Sequence, residues 1–380
     1  MTKELRHDWD PKSDEVLGDQ RAAYDKMRAK CPVARSEFMG WSLFDHGDIA
    51  SVLADPTTFS NTSRFPAIPN GMDPPIHAPY YKALGVHFNE AQMALLEPRV
   101  REIAVDLLGP LVTEKRGEFI ADFAERFALK TLCAMLGWPD EQWECLSGWT
   151  HDSQDAAFNQ DGAAGAALAD LFSRHVKANL DKHRASTDHA ADATDALMQM
   201  EVDGKRFNDD EIVTVLRNWA AGHGTVVGAL GIVLSHLAQT PDMQARLRGE
   251  PSLIPAAIEE ILRADGPLVA NRRTTTREVE IQGRTIAEGQ SVSLMWIAAN
   301  RDPDVFAEPD TVDIERDTDA GMVWGQGIHL CLGAGLARLE MRVAVEELLA
   351  RTTRFEVAGD PPKRAVYPSN GLVALQLRLI

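Results

Sequence analysis

In the stretch MVWGQGIHLCLGAGLARLEM, Met322 to Met341, a single thiol, Cys331, sits among glycines and runs directly into a helical pattern. Three chemistries suit such a cysteine. As a hydrolytic nucleophile it requires a base, an orienting group and an oxyanion donor; His329 lies two residues away, but no orienter or donor accompanies it. As a core thiol it requires no glycines. As a single metal ligand it requires a side-chain-free loop under a flat cofactor and a helix start behind it, where unpaired N–H groups and the positive dipole end favour thiolate over thiol. Haem iron accepts one thiolate as its only protein ligand. The loop alone leaves all three open.

The other cysteines, Cys31, Cys133 and Cys145, form no CxxC pair and no metal-finger spacing, which argues against a disulfide framework or a structural zinc. The chain has 380 residues, 44% hydrophobic and 25% charged, enough to bury a large core. Acidic residues exceed basic ones by 57 to 39, a net charge of −18 that repels nucleic acid and anionic membrane but tolerates a basic protein partner. The opening MTKELRHDWDPKSDEV lacks a basic-then-apolar leader, and no run of about 18 apolar residues occurs. The expectation is a cytoplasmic protein without nucleic-acid or membrane partners.

The elements that position Cys331 are mostly helical. DQRAAYDKMRAKC, MALLEPRVREIAVDLLGPLV, GEFIADFAERFALKTLCAMLG and LARLEMRVAVEELLARTT repeat apolar residues at three and four. GWSLFD, DIASVL, VEIQGRTIAEGQSVSLM and LVALQLRLI read as strands. No linker, repeat or low-complexity tract interrupts the pattern, so residues 1–380 are expected to form one domain, mainly α with small β-sheets. One helix stands out, FNDDEIVTVLRNWAAGHGTVVGALGIVLSHLAQ. Asn208 is its N-cap, Glu211 the box partner, and Phe207 with Ile212 a hydrophobic staple. It is apolar on nearly every face, as a helix through a large core should be. Its glycines, Gly222, Gly224, Gly228 and Gly231, each cost a helix roughly 1 kcal/mol relative to alanine. Either a cofactor or a tightly packed helix must therefore come close to that backbone.

The segment WGQGIHLCLGAGLAR, Trp324 onward, closely resembles the haem-ligand loop of the cytochrome P-450 family, an aromatic followed by G-x-G-x-H-x-C-x-G. Glu260-Ile261-Leu262-Arg263 is similar to that family's E-x-x-R pair, which implies a lock between helix and meander. GPLVANRRTTTREVEI resembles the stretch with a propionate-binding arginine, and the count back from the following strand selects Arg273 rather than Arg272. DPPIHAPYYKALGVHF resembles the D-P-P-x-H-x-x-x-R region, which implies His77 as a propionate partner. The central helix is similar to the A-G-x-D/E-T pattern that crosses the haem, here Ala221-Gly222-His223-Gly224-Thr225. The resemblance runs from about Pro32 to the end of the chain.

The resemblance implies a cytochrome P-450-type domain with a long central helix over haem b. Cys331 becomes the iron ligand, with His77, Arg273, His329, Trp324, Gly325 and Gly222 around the cofactor. Thr225 and His223 are the candidates for proton handling. Three residues depart from the pattern: Tyr81 stands at the second propionate arginine, Trp324 replaces the usual Phe and adds an N–H beside the thiolate, and Gly224 replaces the acid. Restoring an acid at position 224 is expected to leave coupling equal or better. The implied activity is monooxygenation of a small organic substrate, by hydroxylation or oxidative demethylation, with NAD(P)H electrons passed by a reductase and a ferredoxin or flavodoxin-like carrier. The missing acid leaves room for a peroxygenase or a haem-thiolate rearrangement enzyme, and thiolate ligation alone for a haem-binding sensor. Pocket segments are expected at residues 59–72, 215–226, 268–269 and 367–375.

Overall fold

The computed structural model describes residues 7–62, 67–186 and 192–380. Helices dominate, and the one at Asp209–Gln239 crosses the middle of the core. Its start is specified as the sequence implies. The Asn208 side chain accepts from the Glu211 N–H at 3.0 Å, and Glu211 accepts from the Asn208 N–H at 2.9 Å. Phe207 and Ile212 are both buried in the same core. This is the one described helix long and apolar enough to cross a membrane, but 67% of its most apolar window is buried inside the protein, which marks it as a core helix.

Three of its glycines answer to protein packing. A Cβ added at Gly231 would meet Ile120 Cδ1 at 2.7 Å, one at Gly228 the Cα of Gly371 at 3.4 Å, and one at Gly224 the Gln154 Nε2 at 2.9 Å. Gly222 differs, since no protein atom outside its own helix lies within 4 Å of such a Cβ.

The main sheet has five strands in the order Val33–Ser36, Gly40–Leu43, Ser291–Met295, Ala270–Thr275 and Phe59–Ser60. A second joins Phe355–Val357, Gln376–Leu379 and Arg116–Glu118. One expected strand is a helix. DIASVL lies within His46–Ala54, capped by Asp45, whose carboxylate accepts from the Asp48 N–H at 3.0 Å. Ile49, Val52 and Leu53 are buried together, a spacing of three and four that a helix satisfies and a strand does not. The cap and this spacing outweigh the β-branched composition.

The helix Ile254–Ala264 is pinned by the Glu260–Arg263 pair, which is fully buried. Arg263 donates to Glu260 at 2.6 and 2.9 Å and to the carbonyls of Asn300, Pro309 and Thr311. Glu260 also accepts from the Asp313 N–H and from Arg316. Every polar atom of the pair finds a partner, and most of the bonds outside the pair go to the 300–316 segment, so a helix and an irregular stretch are fixed to each other immediately before the cysteine loop.

Candidate functional site

Between the central helix and the cysteine loop lies a cavity of about 560 Å³. Cys331, Gly325 and His329 line one wall, Gly222, His223 and Thr225 the facing one, and Asn271 and Arg273 the sheet side. The loop holds Cys331 by its own backbone. The Cys331 N–H donates to the Trp324 carbonyl at 2.8 Å, across a tight turn at Gly327–His329. Gly325 and Gly327 adopt φ of +71° and +70°, which a side chain resists, and a Cβ at Gly327 would also strike the Leu53 carbonyl oxygen at 2.8 Å. The helix Ala334–Arg351 starts just beyond. The thiol is exposed to the cavity but closely framed by protein. That framing raises its pKa, while the Gly333 and Ala334 N–H groups and the Arg338 charge pull it down.

Trp324 does not offer its N–H to the sulfur. Its Nε1 donates to Glu259 Oε2 at 2.8 Å, and Arg338, itself bound to Glu259 at 2.6 Å, stacks on the ring at 4.7 Å. Of the two routes by which the indole can act on the thiolate, only packing remains.

His77 and His329 meet with ring centroids 4.3 Å apart, and the Nε2 of each is buried without a protein partner. Burial, His77 and Arg273 together push the His329 pKa down to about 4, and burial lowers those of His77 and Arg273, the latter to about 10. The three groups thus cluster, with Asp73 the carboxylate whose charge acts on all of them. Arg273 is buried in register with Val292, whereas Arg272 is exposed, on the Phe38 carbonyl and near Tyr367; both line the cavity. Tyr81 donates to the Leu330 carbonyl at 2.8 Å, so the residue at the arginine position braces the cysteine loop.

On the facing wall His223 Nδ1 lies 2.8 Å from the Trp219 carbonyl. A carbonyl only accepts, so Nδ1 carries the hydrogen and Nε2 of the neutral ring is a bare acceptor. Full burial drops the His223 pKa to about 4. Gly224 sits outside the cavity lining. Its Cβ direction meets Gln154 and Thr150 of the helix Trp143–Asn159. A carboxylate there would begin its path toward that helix.

The cavity joins all the expected site residues except His77, which stands behind His329. Of the expected pocket segments, 63–66 lie outside the described residues; Asn61, Asn70, Asn218, Trp219 and Leu268 do line the cavity. Residues 367–375 do not, because Gly371 packs on Gly228 instead. The sequence reading missed Glu340, which lines the cavity and is fully buried. A carboxylate within the apolar series Leu336, Ala337, Met341, Ala344 was its signal.

The family model of cytochrome P450 matches residues 153–378. The vitamin D(3) 25-hydroxylase of Pseudonocardia autotrophica is 35% identical over 354 residues, 88% of this chain and 87% of that protein. The chain belongs to the cytochrome P450 family. It is 32% identical to the erythromycin C-12 hydroxylase of Saccharopolyspora erythraea, over 91% and 92% of the two chains. The structure of a P450 EryK mutant in complex with erythromycin B superposes with a TM-score of 0.88 at 29% identity, covering 96% of this chain and 97% of that one. As a cytochrome P450 this protein is a monooxygenase of the family that uses haem b, and its residues fit that group. The Nε2 atoms of His77 and His329 are buried without protein partners, a thiol faces the cavity from a glycine-rich loop, and Gly222 leaves the opposite wall open.

Proposed function

We propose that residues 1–380 act as one cytoplasmic haem-thiolate monooxygenase domain that inserts one atom of dioxygen into a small organic substrate. The observation that carries this reading is the convergence of Cys331, His329 and Arg273 on one cavity whose other wall bears Thr225, with His77 behind His329. Bound haem supplies the oxygen chemistry. Cys331 would hold it through the sulfur, with the helix start behind the sulfur favouring the charged form. His77, His329 and Arg273 would donate to its carboxylates, which accounts for the unpartnered Nε2 atoms of His77 and His329. Trp324 would pack beside the sulfur, and Gly325 and Gly222 would leave room for the cofactor. The Thr225 hydroxyl, on the wall facing Cys331, would hold water. His223, with Nδ1 committed to Trp219, acts only through Nε2.

Electrons come from NAD(P)H through a reductase and a ferredoxin or flavodoxin-like carrier. The carrier docks beside the cysteine loop, in the groove lined by Arg338 and Arg342. The substrate is moderately polar: the distal wall mixes Trp219, Val226 and Ala229 with Asn61, Asn70 and Asn218. Relatives named as a vitamin D(3) 25-hydroxylase and an erythromycin C-12 hydroxylase support hydroxylation of an organic small molecule.

Gly224 favours one second reading, a peroxygenase or a rearrangement enzyme, since either dispenses with the proton relay. Substrate-dependent NAD(P)H oxidation with a reconstituted carrier separates them. Stoichiometric oxygenated product supports the monooxygenase. Product from peroxide alone, or isomerised substrate without NAD(P)H consumption, overturns it.

A further inference from the structure

Two positively polarised groups stand next to the cysteine loop, and one carboxylate takes both. Glu259 Oε2 accepts from the Trp324 indole N–H at 2.8 Å, and Glu259 Oε1 accepts from Arg338 Nε at 2.6 Å. Arg338 also stacks on the Trp324 ring, 4.7 Å from its centroid, so the three side chains close a triangle. They come from three segments, the helix Ile254–Ala264, the cysteine loop and the helix Ala334–Arg351. Glu260, one residue on and about 100° around its helix, faces Arg263 instead. The Glu259 and Arg338 side chains are 22% and 52% exposed, and an ion pair that open to water contributes little to stability. What the triangle changes is the charge around its neighbours.

Both groups that Glu259 holds are placed to act on Cys331. The Trp324 carbonyl accepts from the Cys331 N–H at 2.8 Å, which keeps residue 324 next to the thiol. The Arg338 charge reaches that thiol: burial raises the Cys331 pKa, and Arg338, after the Gly333 N–H, draws it down. An N–H aimed at a thiolate, or a nearby cation without its counter-charge, pulls electron density off the sulfur and makes a ligated iron easier to reduce. A phenylalanine at position 324 would have no N–H to place. The tryptophan found there comes with an acceptor that turns its N–H elsewhere.

We propose that Glu259 is a positioning residue that keeps the haem reduction potential low, by taking the Trp324 N–H and balancing Arg338 so that neither draws on the thiolate. The inference rests on haem ligation by Cys331. Each carboxylate oxygen has one task. Oε2 fixes where the indole donor points, and Oε1 sets how much of the Arg338 charge is left uncompensated. Removing the carboxylate releases both groups, and both act in the same direction, so the potential rises. The share due to the N–H requires Trp324, whereas the share due to Arg338 does not.

Spectroelectrochemical titration of the substrate-free holoenzyme reads the potential without turnover. In Glu259→Leu the equilibrium between ferric and ferrous protein should shift about tenfold toward ferrous, a rise of about 59 mV for one electron. In the Trp324→Phe background the same substitution should shift it only about threefold, the share of a partly exposed charge pair. Trp324→Phe alone, with Glu259 in place, should leave the potential nearly unchanged. Ultraviolet resonance Raman spectra of the ferric holoenzyme locate the indole: the Trp324 N–H signature, isolated by difference from Trp324→Phe, should report a carboxylate acceptor and lose it in Glu259→Leu. A potential that stays or falls in Glu259→Leu, equal shifts in the two backgrounds, or an indole signature indifferent to Glu259 overturns the proposal. If Glu259→Leu fails to take up haem, Glu259→Gln must still raise the potential through the lost charge, and no rise overturns the proposal. A natural holoprotein whose ferrous carbon monoxide complex lacks the thiolate band would sink haem ligation by Cys331, whereas that band with an unmoved potential sinks only the role given to Glu259.

Discussion

Glu260–Arg263 and Glu340–His223 are both buried pairs of a carboxyl and a nitrogen base, and they could hardly be treated more differently: the first is bonded at 2.6 Å, while Glu340 Oε1 and His223 Nε2 stand 3.8 Å apart with no hydrogen bond. Around the first, carbonyls of Asn300, Pro309 and Thr311 and the N–H of Asp313 satisfy the charges. Around the second, three polar atoms have no protein partner. A buried charge that is completely bonded holds shape. Polar groups left short of partners beside a cavity are held ready for something that enters it.

The largest test of this contrast is truncation. Arg263→Ala leaves Glu260 ionised and buried with only Arg316 and backbone, and should cost about 3–5 kcal/mol in denaturant unfolding, with haem lost through failed folding. Glu340→Leu removes an unpartnered group and should leave stability nearly unchanged or raised. If both variants lose the same stability, the two pairs are alike and the distinction fails.

His87 sets the next expected effect. It is buried and its pKa drops to about 4 through burial, below the ordinary 6.5. The unfolded chain then binds the extra proton first, so His87 costs the fold nothing above pH about 6.5 and progressively more as pH falls toward 4, up to about 3 kcal/mol. His87→Leu should flatten the acid limb of a stability–pH curve; an unchanged limb would assign the acid sensitivity elsewhere.

At the cofactor rim, Arg273→Ala and His77→Ala should each weaken haem retention by about 1.5–3 kcal/mol, the worth of a hydrogen bond to a charged group, without abolishing it. Transfer of haem to an acceptor globin measures this. Should Arg272→Ala weaken retention while Arg273→Ala does not, the register of the Ala270–Thr275 strand is misassigned.

Much of this was legible before any coordinates. Cys331, His329 and the two left-handed glycines sit in one contiguous motif, and Asn208 and Glu211 announced the central helix from four residues. What stayed hidden depended on contacts between distant segments. Nothing in WGQGIH tells that the Trp324 indole turns to Glu259, 65 residues upstream. Glu340 was passed over because a carboxylate on an amphipathic helix is usually solvated, and only the packing of the central helix reveals its burial. DIASVL was misread because β-branched residues outweighed the Asp45 cap in so short a segment.

Gly224→Asp should have the smallest effect. Its side chain starts toward Gln154 and Thr150, which must give way by a few tenths of an ångström or more. Aspartate is only slightly better than glycine within a helix, a gain of roughly a few tenths of a kcal/mol, so the net change in thermal stability should stay within about 1 kcal/mol. Product per NAD(P)H should not improve, contrary to what the family pattern alone suggests. A clear gain in coupling would mean that the helix Trp143–Asn159 yields and the carboxylate reaches the cavity.

The central claim, that Cys331 ligates haem iron as a thiolate, is tested most directly by the absorption spectrum of the reduced protein under carbon monoxide. The natural protein should show the red-shifted band that thiolate ligation produces, and Cys331→Ser should lose it while the fold, secured by the Glu260–Arg263 lock, persists by circular dichroism. The same red-shifted band in Cys331→Ser would contradict the account.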